Sequence, residues 1–212
     1  MEILKFGNEE ANILLVQPVD DHDLNVIQSE VETIRSLTGK DFLLLACKVD
    51  NWNRDLSPWE AAPVFGTEPF CGQAQQTLDF LQNEVLSRYK DKTLYIGGYS
   101  LAGLFALWAV YQTNIFQGAA AASPSVWFPR FLDYTHERQI QTKAVYLSLG
   151  DREEKTKNPL MSQVGNAIRA LYEDLAAKGT IRTTLEWNSG NHFKDPDLRT
   201  AKAFAWLLEE IE

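Results

Sequence analysis

Cysteine is scarce in this chain, with only Cys47 and Cys71 among 212 residues. They sit in an apolar run and a loop-like stretch with no metal-ligand spacing, so neither a disulfide framework nor a metal site is expected. Long hydrophobic runs are also missing. None approaches the roughly 20 residues of a membrane span, and the start Met1-Glu2-Ile3-Leu4-Lys5 has none of the features of a secretory signal. The expectation is a soluble, cytoplasmic protein. Basic charge is in deficit: 20 Lys and Arg against 29 Asp and Glu leave a net charge of −9. Nucleic-acid binding is therefore not expected, because holding a phosphate backbone takes basic stripes. Repeats, low-complexity tracts and linkers are absent, and the length suits one domain over 1–212.

The most informative absence is local. From residue 93 to 129 there is no Asp, Glu, Lys, Arg or His. A stretch of that kind belongs at the centre of a fold, covered on both sides, and its middle, 101–111, is apolar all round as a buried helix would be. Around it, short apolar runs at 12–19, 42–49, 93–97, 116–122, 143–149 and 182–187 read as strands. Helical periods lie between them. They are marked by Leu24, Ile27, Val31 and Ile34; by Leu78, Leu81, Val85 and Tyr89; by Val164, Ile168, Leu171 and Leu175; and by Ala201, Phe204, Leu208 and Ile211. Alternating strands and helices predict a three-layer α/β domain around a mostly parallel sheet.

Inside the uncharged segment stands Gly97-Gly98-Tyr99-Ser100-Leu101-Ala102-Gly103, between a strand-like run and the apolar helix. A glycine-flanked serine at a strand-to-helix turn is the layout of a nucleophile elbow, which pushes the hydroxyl out above a sheet. A five-residue pattern this loose arises by accident in about one chain in ten, and the ordinary alternative is a serine N-cap. Context decides. A dinucleotide-binding turn needs an acidic residue about 20 positions on, yet no Asp or Glu occurs before Asp133. A P-loop needs Gly-Lys-Ser/Thr, whereas Leu104 and Phe105 follow Gly103.

With Ser100 as nucleophile the chain must also supply a base, an acid and an oxyanion hole. Of three histidines, His192 lies just past the last strand in Gly190-Asn191-His192, where a catalytic histidine is expected. His22 is the second choice and His136 reads as a surface residue. The acid is expected after the 143–149 strand, where Asp151, Glu153 and Glu154 all qualify; one carboxylate is needed behind the imidazole. Periodicity does not choose among them. The oxyanion hole needs two aimed backbone N–H groups. Leu101, after the nucleophile, supplies one, and Val19, in the loop after the first core strand, is expected to supply the other, since Pro18 has no N–H.

Three motifs carry a family resemblance: the elbow at 97–103, Ser123-Pro124-Ser125-Val126-Trp127, and Gly190-Asn191-His192. Together they resemble the α/β-hydrolases of the esterase D and enterobactin esterase type. The resemblance spans roughly residues 11–211 and implies an α/β-hydrolase fold, and no stretch between the strands is long enough for a large lid domain. In that family the acid is often the third residue after the glycine ending its strand, which from Gly150 selects Glu153. Ala102 stands where the family has Gly, and Asn191 likewise replaces a Gly.

The implied chemistry is hydrolysis of a small or mid-sized ester through an acyl-enzyme, with no metal or cofactor. An acyltransferase with the same triad, or an inactive binding protein of this fold, are the alternatives. Trp52, Trp59 and Trp127 are expected to wall an acyl pocket at the carboxyl side of the sheet, although aromatics in long loops often serve as anchors. Arg54 either meets a substrate carboxylate or pairs locally with Asp55 or Asp50.

Overall fold

A computed structural model describes residues 1–64 and 66–209. Seven strands form the main sheet: β1 (Glu2–Gly7), β2 (Ile13–Val19), β3 (Leu43–Lys48), and, after a two-stranded ribbon of β4 (Glu60–Ala61) and β5 (Phe70–Cys71), β6 (Thr93–Tyr99), β7 (Phe116–Ala122), β8 (Ala144–Gly150) and β9 (Arg182–Asn188). Their spatial order is β1-β3-β2-β6-β7-β8-β9. All pairings are parallel except that of β1 with β3. The architecture is the expected three-layer α/β fold. Its crossovers run one way from β2 to β3 and the other way from β6 onward, so the crevice between the carboxyl ends of β2 and β6 is where a ligand site belongs.

Helices α1 (Asp21–Leu24), α2 (Ile27–Thr38) and α8 (Pro196–Glu209) lie on one face of the sheet. The other face carries α3 (Trp52–Leu56), α4 (Ala74–Phe80), α5 (Leu101–Gln112), α6 (Phe131–His136) and α7 (Val164–Ala177). The uncharged segment is β6, α5 and β7. Strand β6 is fourth of seven, and every residue of α5 from Leu101 to Tyr111 is buried.

The structure departs from the periodicity in several places. Strand β1 was not expected; it is an antiparallel edge strand whose Ile3 packs against one core layer and whose Leu4 and Phe6 pack against the other. The short helices α3 and α6 and the β4–β5 ribbon were not expected either. The helical period from Leu24 to Ile34 is two helices, because the backbone turns at Asn25 and Val26 before Ile27 starts again. The period from Leu78 to Tyr89 holds only through α4, after which residues 81–85 wind as a π-helix, letting Leu81 and Val85 stay on the buried side. Ile211 lies outside the described residues.

Candidate active site

Strand β6 runs straight into α5, and the chain turns between them at Ser100, whose φ of 57° and ψ of −117° lie far from ordinary helix or strand. Holding a non-glycine residue there costs of order 1–3 kcal/mol. The turn is held by hydrogen bonds on both sides: Ser100 N–H donates to Ala122 O (3.1 Å), and Ser125 N–H donates to Ser100 O (3.0 Å). Small residues make it sterically possible. A Cβ on Gly98 would stand 2.6 Å from the Ala102 methyl, and one on Gly103 would meet Gly98 O at 3.0 Å. The methyl of Ala102 thus fits because position 98 has no side chain.

Ser100 Oγ lies 3.0 Å from His192 Nε2, and His192 Nδ1 lies 2.6 Å from Glu153 Oε2. The serine and imidazole are half-buried, whereas Glu153 is 8% exposed. Its other oxygen, Oε1, accepts from Gly150 N–H (2.6 Å), Ser123 Oγ (2.7 Å) and Arg199 Nη1 (2.8 Å). Burial pushes the Glu153 carboxyl up, but the hydrogen bond and charge of His192, with the bonds from Ser123 and Gly150, outweigh it and hold the group below the usual carboxylate range. A carboxylate so placed fixes the tautomer of His192 and stabilises its imidazolium.

The other two carboxylates point elsewhere. Asp151 is exposed and accepts from Gly190 N–H at 2.8 Å, bracing the histidine loop, while Glu154 meets Arg169 at 3.5 Å. His22 is exposed on α1, and His136 is exposed beside Asp174 on α7. The hydroxyl of Ser100 meets His192 and Ser125 instead.

One expected oxyanion donor is corrected. Val19 pairs in register with Lys48, and its carbonyl accepts from Val49 N–H. The N–H and C=O of a strand residue point to the same side, so the Val19 amide faces β3, away from Ser100. The next residue, Asp20, leaves the strand as the N-cap of α1, beyond the β2–β6 pairing that ends at Val16–Ile96. Its N–H makes only a 3.3 Å contact, with Asp23 of its own capping box. Leu101 occupies the first helical position of α5, where an N–H has no intrahelical acceptor.

The tryptophans divide. Trp59 anchors its loop: Nε1 donates to Pro129 O at 2.9 Å and the ring packs on Phe128 and Tyr134. Trp127 is 8% exposed and edge-on to Phe70, so it belongs to the core behind Ser125 and has little surface to offer a substrate. Trp52 stays half-buried at the start of α3. Arg54 pairs locally with Asp55 (2.7 Å), whose carboxylate also accepts from the Asp50 and Asn51 amides.

Four residues with no assigned role in the sequence reading stand in the site. Ser125 is buried with Oγ 3.3 Å from Ser100 Oγ. Tyr99 donates to His192 O at 2.8 Å, and burial with the nearby Glu153 charge pushes its phenol up to about 12. Phe193 is 86% exposed and stands edge-on to the imidazole. Arg199 on α8 contacts Glu153. A cavity of about 590 Å³ lies at the opposite, amino end of the strands, lined by Lys92, Lys143 and Arg182 among others. Its lining holds no serine, histidine or carboxylate. Among the described residues no group of three His, Cys, Asp or Glu side chains converges as a metal site would, and no helix is long and apolar enough to cross a membrane.

No family description matches the chain, and no curated protein matches it in sequence. Solved structures do. It is similar to the siderophore hydrolase EstA from Aspergillus nidulans, with a TM-score of 0.76 at 19% identity over 97% of this chain and 86% of that one. An IroE-like serine hydrolase from Shewanella oneidensis gives 0.76 at 15% over 98% and 75%. A carboxylesterase from Bacillus cereus gives 0.60 at 16% over 98% and 94%. These likenesses establish an α/β-hydrolase fold over nearly all of this chain.

Proposed function

We propose that this α/β-hydrolase-fold chain is a serine esterase of the enterobactin esterase type, with Ser100 as nucleophile, His192 as base and Glu153 as the acid behind it. The observation that carries the reading is His192 bridging a strained, half-exposed serine at 3.0 Å and a buried, ionised carboxylate at 2.6 Å. Ser100 Oγ attacks the ester carbonyl as its proton passes to His192 Nε2. The Leu101 and Asp20 amides hold the oxyanion. His192 then protonates the departing alcohol, and water, deprotonated by the same nitrogen, attacks the acyl-enzyme and releases the acid. Ser125 Oγ, beside the nucleophile, donates to the oxygen of Ser100 while that oxygen donates to His192, which keeps one lone pair of Ser100 aimed at the substrate.

The reaction needs no metal or cofactor, and the partner is a small-molecule ester. The open cleft suits small or mid-sized substrates, and Trp52 and the exposed Phe193 are its aromatic walls. Phe193 stands on the His192 side, where the alcohol leaves, so it favours esters of apolar or aryl alcohols. A panel of p-nitrophenyl and alkyl esters of increasing acyl length tests the proposal. Saturable hydrolysis that disappears in Ser100→Ala is expected, and no hydrolysis of any member by the wild type refutes it. Added alcohol acceptors in the same assay separate hydrolysis from acyl transfer.

A further inference from the structure

Arg199 has 2% of its surface exposed and is the largest of the fully buried side chains. A buried guanidinium is costly unless every hydrogen finds an acceptor, and this one is distributed over four segments. Nη1 faces Glu153 Oε1 (2.8 Å), Ser123 Oγ (3.1 Å) and Tyr99 Oη (3.1 Å). Nη2 donates to the carbonyls of Ser189 (3.3 Å) and Asn191 (3.1 Å). The end of β6, the turn after β7 and the loops after β8 and β9 therefore converge on one group.

Its neighbours lead back to the imidazole by two routes. Ser123, held at φ 43°, accepts from Arg199 and donates to Glu153, which holds His192 Nδ1. Tyr99 accepts from Arg199 and donates to the backbone carbonyl of His192. A cation that served only to neutralise Glu153 would need neither the loop carbonyls nor Tyr99.

We infer that Arg199 is a positioning residue of this site with two separable actions: its charge offsets part of the Glu153 charge felt by His192, and its planar fork pins residues 189–192 so that the imidazole stays on Ser100. The inference rests on the Ser100–His192–Glu153 reading for its meaning in catalysis, but its electrostatic half stands on the geometry alone. Removing the cation leaves an uncompensated carboxylate against the imidazole, so the Glu153–His192 pair takes up its proton at higher pH. The other titratable groups facing Arg199 are Tyr99 on β6 and Tyr146 on β8, both pushed upward by burial and so protonated through neutral pH. On the adjoining loops Asp151 and Lys194 are exposed, and Lys202 on α8 is paired with Glu186 of β9 at 2.7 Å.

The test is a histidine NMR titration, which needs no turnover. Only three ring signals exist, and a His192→Gln spectrum identifies the one of interest. In Arg199→Gln the His192 midpoint is expected to rise by about one pH unit, and in Arg199→Lys, which keeps the charge, to stay within a few tenths of the wild type. A single ammonium nitrogen cannot stand at both the Nη1 and Nη2 positions, so Arg199→Lys is expected to lose about tenfold in kcat on an ester with KM nearly unchanged. A folded Arg199→Gln whose midpoint does not move overturns the inference. If Arg199→Gln does not fold, Arg199→Lys decides: a midpoint displaced by a full unit, or a wild-type kcat, overturns it. A wild type without esterase activity refutes the functional reading instead, and the titration still judges Arg199.

Discussion

The two sides of His192 are built on opposite principles. On one side stands Ser100, half-exposed, in a strained backbone conformation, with few partners for its hydroxyl. On the other stands Glu153, almost fully buried, with both oxygens occupied by donors from four segments. The serine side holds its reactive atom against the backbone's preference and leaves it open to solvent. The carboxylate side gives up openness for fixity. Strain at a functional site persists only where the surroundings over-determine it, and here the hydrogen bonds to Ala122 O and from Ser125 N–H and the missing side chain of Gly98 do so. If this contrast is correct, substitutions at Ser100 should cost activity without stability, and substitutions at Glu153 should cost both.

The sharpest separation is expected at Ser100. Ser100→Ala should lower kcat about 10⁵- to 10⁶-fold while melting no lower than the wild type in a thermal scan. Glu153→Gln should lower kcat/KM by about 10³- to 10⁴-fold and, because it leaves the Arg199 cation buried without its partner, cost roughly 3 kcal/mol in urea unfolding. A Glu153→Gln protein as stable as the wild type would break the comparison. Gly98→Val should destabilise by about 1–3 kcal/mol, since its side chain has to displace the Ala102 methyl.

A gentler test uses pH. The Glu153 carboxyl is held below its ordinary value of 4.5 in the folded protein. It therefore contributes stability above that value and loses it as pH falls through the lower, folded value. Wild-type stability should decline along that acid limb, and the decline should be shallower in Glu153→Gln. The smallest effect is expected from Asp151→Asn, whose exposed carboxylate makes one hydrogen bond to Gly190: no more than a few-fold in activity and within about 0.5 kcal/mol in stability.

Much of this arrangement was legible in the sequence. The uncharged stretch placed β6, α5 and β7 at the centre, and the glycine-flanked serine and Gly-Asn-His segment picked out the two residues now found 3.0 Å apart. The acid was legible only as three candidates from the residues themselves, because which carboxylate turns inward is set by the loop after β8 and by Arg199, not by local pattern. Val19 was misread for a related reason: which side an amide faces depends on strand register, and β2 stays paired with β3 through Val19. Trp59 and Trp127 were not legible as anchors because an indole's partners, such as Pro129 O for Trp59, lie far away in sequence. Arg199 left a faint signal. It continues the four-residue stripe of Ala203 and Leu207, both buried, so a cation interrupts an apolar face of α8.

The central claim is that Ser100 alone among the chain's hydroxyls is activated, and covalent labelling tests it most directly. Incubation with a fluorophosphonate followed by peptide mass mapping should give one adduct, on Ser100, absent from Ser100→Ala and much slower to form in His192→Gln. A wild type that takes up no label, or a Ser100→Ala variant that labels as readily as the wild type, would contradict it.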